Sequence, residues 1–222
     1  MQGPIPTQKA METETRLMAL FGIGARVANA GIVFLTQILF ARMLGAAEFG
    51  IYAAATTAML LAAGFATLGL TAMPQRFWPA YAAVGDLARQ RGLMRFASWG
   101  PFVGGTAVAI IGSAIAYLAS PLLSPAVSIA ICLAMLTLPA MAAMDVIEGF
   151  ALLKSWKRLA YGLMFIVRPL LIPSVFLGAW MMGVRADAAL AVIAVAAATW
   201  VAAFLLILSL IHISEPTRPR LI

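Results

Sequence analysis

Charge is scarce in this chain. Only 10% of its 222 residues are Asp, Glu, Lys or Arg, against 64% hydrophobic residues and a mean hydropathy of +1.00. So little polar surface cannot wrap a water-soluble core, which excludes an ordinary soluble globule. Cysteine is nearly absent too: Cys132 stands alone, so no intrachain disulfide or cysteine-based metal cluster can form, and the residue is most simply a small apolar packing group. Histidine occurs once, at His212. The opening segment MQGPIPTQKAMETETR has no basic run leading into a short apolar stretch with a small-residue cleavage site, which argues against a cleaved signal peptide. Neither a phosphate-binding glycine loop, nor a nucleophile and base, nor metal-ligand spacing is found. The chain is therefore expected not to be an enzyme and to need no cofactor and no metal.

What is present is long apolar runs. Six can be marked, at 20–41, 51–72, 96–118, 127–147, 159–182 and 188–208, each long enough to cross a bilayer as a helix rising about 1.5 Å per residue. They are continuously apolar and lack the short alternating segments of an outer-membrane barrel, so the expected fold class is an all-α membrane protein of about six transmembrane helices. Gly64, Pro139, Pro169 and Pro173 fall inside the runs, where neighbouring helices can satisfy freed backbone groups. Residues 1–19 are expected to form an N-terminal arm and 20–207 a transmembrane lobe.

The basic residues fall unevenly between the runs. One side receives Lys9, Arg16, Arg76, Arg89, Arg91, Arg95, Lys154, Lys157 and Arg158, the other only Arg42 and Arg185. The positive-inside rule then places the N-terminus in the cytoplasm. The formal charge of +7 is accounted for by topology and by contact with anionic phospholipids, not by nucleic acid, for which there is no folded basic domain. Phe49 and Tyr52 flank the outer end of the first hairpin, and Phe77, Trp78 and Tyr81 the inner end of the second run; all are expected at headgroup level.

Segment 41–55, ARMLGAAEFGIYAAA, joins the first two runs. Arg42 can satisfy helix-end carbonyls, Gly45 can end a helix with positive φ, and Glu48 suits the start of the next helix. On these grounds alone it is an ordinary helical hairpin. The string also resembles the first-hairpin signature of bacterial polysaccharide flippases, with Arg42, a Leu-Gly pair ending at Gly45, Glu48, Phe49, Gly50 and Tyr52 in that order. Segment 69–94, GLTAMPQRFWPAYAAVGDLARQRGLM, resembles the family's second signature: Gly-Leu, then Arg76, aromatics and a basic cytoplasmic loop.

The resemblance implies the oligosaccharide-lipid branch of the superfamily that also holds multidrug and toxin extruders and the lipid II flippase. Such transporters have two six-helix lobes facing a central cavity and work by alternating access. The chain would then be one lobe, with a C-terminal lobe of the same protein as its partner. It would lie in the bacterial cytoplasmic (inner) membrane as a multi-pass protein. Its cargo would be a lipid-linked oligosaccharide of the undecaprenyl-diphosphate type, moved for surface polysaccharide assembly.

Polar residues inside the runs are the candidate site. Arg26, Asn29, Thr36 and Gln37 fall within an arc of roughly 100° on a helix. In lipid such a face turns inward, toward neighbouring helices or a cavity. Alternatively Arg26, about 10 Å inside the cytoplasmic end, snorkels to headgroups while Asn29 and Gln37 bond adjacent helices. Arg168 lies near the middle of its run and precedes Pro169 and Pro173. It either satisfies carbonyls freed at the kink together with an acidic partner, or presents charge to a cavity, where a guanidinium suits a diphosphate. Asp145 and Glu148, at i and i+3, are either a cation or proton site coupled to transport or interfacial acids balanced by Lys154, Lys157 and Arg158.

Three other functions compete with a flippase. A multidrug extruder would more often carry acidic coupling residues within the spans, and a glycosyltransferase or polymerase would need larger outer loops. An assembly subunit would tolerate loss of Arg26 and Arg168.

The end of the chain departs from its habits. Residues 208–219 resemble a translated transposase sequencing adapter, with LSLIHISEPTR as the matching words. Native sequence is then expected to end near Ile207, residues 208–222 to be a non-native tail, and His212 and Glu215 to carry no chemistry. The competing account is a cytoplasmic tail with Arg218 and Arg220 as positive anchors. The source DNA is expected to diverge from the adapter after the codon for Ile207; genomic sequence running unbroken through 208–219 would overturn this.

Overall fold

The computed structural model describes residues 8–67, 70–153 and 161–214. Among these there is no strand. α1 (Gln8–Thr67) is followed by a 3-10 turn (Leu70–Ala72), α2 (Met73–Ala83), α3 (Leu87–Leu118), α4 (Pro125–Met135) and α5 (Leu138–Leu153). A π-helical turn (Leu163–Val167) then runs into α6 (Arg168–Met181), and α7 (Ala188–Ser214) comes last among the described residues. Five stretches are long and apolar enough to cross a membrane: Leu20–Thr67, Leu87–Leu118, Pro125–Phe150, Leu163–Met181 and Ala188–Ser209. This is the composition of an α-helical membrane protein.

α1 does not run straight. Gly45 has φ 75° and ψ 171° in the middle of it, a conformation that glycine adopts without a steric penalty. The rings of Phe40 and Tyr52 are 5.1 Å apart in an edge-to-face contact, although twelve residues of continuous helix would separate them by ~18 Å. The chain therefore doubles back at Gly45 into two antiparallel arms, 8–44 and 46–67. Phe176 of α6 joins the same aromatic group, 4.6 Å from Phe40. All three rings are buried at the heart of the main apolar core. Tyr52, expected at headgroup level, is thus buried in the protein core, where it hydrogen-bonds with the Gln37 side chain.

Several boundaries differ from the hydropathy reading. The third span starts at Leu87 instead of residue 96, because Asp86 caps it: its carboxylate accepts from the Arg89 N–H at 2.9 Å and pairs with the Arg89 side chain at 3.3 Å. The expected basic loop between the second and third spans is consequently a short helix, α2, turned directly into α3. The fourth span is broken between α4 and α5. Pro139 has no N–H for the Met135 carbonyl four residues back, and at the same break the indole of Trp200 in α7 donates to the Leu136 carbonyl at 3.0 Å. The expected N-terminal arm is helical from Gln8 and continuous with the first span, while residues 1–7 lie outside the described residues. So do Lys154, Lys157 and Arg158, and residues 215–222 of the expected tail, including Glu215, Arg218 and Arg220.

α3 and α4 are tied by Ser128 Oγ donating to the Ala116 carbonyl at 2.9 Å and by Cys132 Sγ to the Ser113 carbonyl at 3.7 Å. α3 approaches the α4–α5 break so closely that a Cβ on Gly105 would lie 2.8 Å from the Leu138 carbonyl oxygen and from Pro139 Cα. Neither backbone atom can swing away. Gly105→Ala is expected to cost about 1–3 kcal/mol by overpacking, seen as a lowered unfolding midpoint of the detergent-solubilised protein. Gly64→Ala, whose Cβ meets nothing within 4 Å, should be neutral or slightly stabilising; equal effects at the two positions would contradict this packing.

Candidate functional site

The polar arc of the first arm is turned mostly into the bundle. Thr36 is buried and its hydroxyl donates to the Ile32 carbonyl at 2.8 Å, Asn29 and Gln37 are half-buried, and Gln37 bonds Tyr52 of the second arm. The apolar stripe that accompanies them inward, Ala25, Ile32 and Phe40, follows the helical period, so the same rotation that buries the core also buries these polar groups. Arg26 sits at the edge of that face. It is exposed, with its guanidinium 5.8 Å from the centroid of Phe165, a separation at which the ring quadrupole attracts a cation.

Arg168 is placed by an unusual backbone. Its N–H bonds the Leu163 carbonyl, five residues back, closing the wide turn Leu163–Val167. Pro169 then begins α6 at a position where a missing N–H is tolerated. A single π turn of this kind re-aims the side chains that follow it. The Arg168 Nε donates to Thr199 Oγ1 of α7 at 3.0 Å, and the Thr199 hydroxyl in turn donates to the Val195 carbonyl at 2.8 Å. Thr199 is fully buried and Arg168 half-buried. Asp145 of α5 lies within electrostatic reach of Arg168, and Glu148 within reach of both Asp145 and Arg26.

Four ionisable side chains from the first arm, α5 and the start of α6 are thus brought together inside the spans as two cations and two anions. Arg168 is seen bonded to a hydroxyl of the neighbouring helix, not to the carbonyls freed at the kink, with Asp145 within electrostatic reach. Among the described residues the cations that face Asp145 and Glu148 are Arg168 and Arg26; Lys154, Lys157 and Arg158, expected to balance these acids, lie outside the described residues. Among the described residues no group of His, Cys, Asp and Glu could hold a metal ion.

The hairpin residues form a second constellation at the opposite end of the bundle. Glu48 is half-buried, and its carboxylate accepts from the Ala188 N–H at 2.9 Å. It caps α7, a helix 140 residues away, instead of the start of its own arm. Asp187 caps the same helix by accepting from the Leu190 N–H at 2.9 Å. Phe49 lies 6.0 Å from Tyr52, whereas Gly50 and Arg42 are exposed. Arg76 on α2 is also exposed, 5.7 Å from the Phe77 ring centroid. The sequence reading did not single out Thr199. Its signal was legible all the same, since it is the lone hydroxyl residue in the run 188–208, at a depth that matches Arg168 when both are counted from the connection between their helices.

Compared with protein-family models, with curated proteins and with solved structures, the chain gives no match.

The charge group is checked by a double-mutant cycle on stability. Arg168→Met removes the cation facing Asp145 and is expected to lower the unfolding midpoint. Adding Asp145→Asn should restore part of the loss, with a coupling energy of about 1 kcal/mol or more. Strict additivity would mean that the two side chains do not sense each other.

Proposed function

We propose that the chain is one lobe of a flippase that moves a lipid-linked oligosaccharide across the bacterial cytoplasmic membrane for surface polysaccharide assembly. Counted as two crossings, the Gly45 hairpin would bring the five apolar stretches to six helices, the number in such a lobe, and the excess of Lys and Arg on one side supports a cytoplasmic N-terminus. The words at 41–55 and 69–94 support the family.

The observation that carries the proposal is the intramembrane charge group. Ionisable residues inside spans are costly and tend to mark substrate or ion pathways. Arg168 is oriented by Thr199, with Asp145 within electrostatic reach. A diphosphate entering the cavity between two lobes supplies a stronger anionic partner, to which a planar guanidinium can donate two parallel bonds. Arg26, at the edge of the inward face, adds a second positive charge on the cytoplasmic side of Arg168. The cargo is bound and passed on without any bond being made or broken.

The acid pair Asp145 and Glu148 favours a cation-coupled extruder of small molecules as the second reading. Both are tested in the source bacterium by deleting the gene and complementing with variants of the complete protein. Arg168→Ala and Arg26→Ala are expected to lower surface polysaccharide by about tenfold, the scale of one lost charge-assisted hydrogen bond, while Arg185→Ala, exposed at the other end, leaves it intact. Unchanged polysaccharide at normal protein levels would point to an assembly subunit, and altered drug susceptibility with intact polysaccharide to the extruder.

A further inference from the structure

At the basic end of the bundle, α2 and the first turns of α3 enclose an open groove of about 740 Å³. Trp78 of α2 forms one wall and is held by Phe150 of α5, whose ring is 5.9 Å away and nearly perpendicular. The facing wall is the side of α3 that carries Gln90, Arg91, Met94 and Arg95. The neighbouring Arg89 is engaged elsewhere, paired with Asp86 and lying 5.9 Å from the Tyr81 ring centroid. Arg91 and Arg95 are one helical turn apart and exposed, and among the described residues neither makes an ion pair. The groove shares no residue with the charge group of Arg26, Asp145, Glu148 and Arg168.

Its depth follows from helix length. α3 has 32 residues, ~48 Å of helix against about 30 Å of hydrocarbon. Its three arginines fall within the first nine residues, and the exposed Phe96, Trp99, Phe102 and Val103 come directly after them. The groove therefore lies at headgroup level, and an apolar helix face leads from it toward the acyl chains. An anion at this place meets two guanidinium groups, and whatever it is attached to meets an indole and a methionine. A free inorganic anion would use only the first of these. A lipid headgroup uses both.

We propose that this groove binds the phosphodiester of an anionic membrane lipid, with Arg91 and Arg95 on the phosphate and Trp78 along the glycerol and upper acyl chain. Binding there fixes the angle between α2 and α3 by filling the corner that they enclose. It also accounts for a helix that extends about three turns beyond the hydrocarbon before it meets its cap at Asp86.

The test uses the full 222-residue chain in detergent, offered equal amounts of phosphatidylglycerol and phosphatidylcholine, with lipid retention read by native mass spectrometry. Two basic side chains at the surface should favour phosphatidylglycerol by about tenfold or more. Arg91→Gln with Arg95→Gln should bring the two lipids close to parity. Gly92→Trp should do the same without altering charge, because Gly92 lines the groove and a Cβ there meets nothing within 4 Å. Arg89→Gln should keep the preference. The proposal fails if the wild-type chain shows no preference, if Arg89→Gln loses as much as the double variant, or if Gly92→Trp leaves retention unchanged. It also fails if inorganic phosphate at the lipid's concentration displaces phosphatidylglycerol, which would mark a free-anion site. Circular dichroism checks that the variants are folded; should the double variant lose helicity, Gly92→Trp and Arg89→Gln decide the matter.

Discussion

Lipid offers no hydrogen bonds, and most of the polar detail in this structure follows from that one fact. Every N–H, carbonyl and hydroxyl within the spans has to find its partner inside the protein. The hydroxyls of Thr36, Thr56, Thr106, Ser174, Thr199 and Ser209 do so locally, each donating to the carbonyl four residues back. Ser128 and Cys132 reach across to α3, and Trp200 reaches the Leu136 carbonyl at the break before Pro139. Local bonds leave helices independent, whereas the crossing ones fix which helices are neighbours. Thr137, at that same break, is the exception: its hydroxyl is buried without a partner among the described residues, and nothing in the structure accounts for it.

At the opposite end from the basic groove the same need shapes the connections. α7 begins with free N–H groups close to the membrane boundary, and two carboxylates receive them, Asp187 from its own loop and Glu48 from the first hairpin. The Glu48 contact joins residues 140 positions apart, so it draws the first two arms against the last helix and closes the helix arrangement. Gly45 makes it possible by turning the chain within one residue, which leaves Glu48 on the first turn of the second arm. Tyr52 follows one turn later, inside the aromatic group with Phe40 and Phe176. Three of the hairpin residues that suggest a family thus have complete structural duties. The resemblance on that segment is carried by residues whose contacts lie within the helix bundle itself.

This division explains what could be read from the sequence. The helical class and the places of the apolar runs were legible because a bilayer demands long uninterrupted stretches, and the turn at Gly45 because few residues other than glycine accept its φ. The cap at Asp86 was also written locally, as Gly-Asp before a helix, but hydropathy obscured it, because Arg89, Arg91 and Arg95 delay the apolar average by about two turns. The break between α4 and α5 was half legible: Pro139 announced a lost hydrogen bond, but the bond from the Trp200 indole to the neighbouring Leu136 carbonyl depends on the packing of α7. The partners of Arg168 were harder still. An arc of polar residues can be computed along one helix, whereas the approach of Thr199 and Asp145 depends on rotations of two other helices and on a π turn that no periodicity predicts. The burial of Tyr52 was hidden for a related reason, since it depends on the approach of Phe40 and of Phe176 from another helix.

The sign balance of the charge group then bears on transport. A lone arginine at the middle of a span costs about 2.5–3.5 kcal/mol even on insertion scales. The two arginines here are accompanied by Asp145 and Glu148, so acids stand close by to offset part of their charge and α6 need not carry the whole cost by itself. In the proposed flippase the same acids set a ceiling on affinity, because a diphosphate has to compete with them for the guanidinium groups. Such competition is an advantage to a transporter. A cavity of unbalanced arginines would hold a diphosphate too tightly to release it on the far side. One with built-in anions passes its cations back to Asp145 and Glu148 as the cargo leaves, and the energy of binding is kept small in both directions.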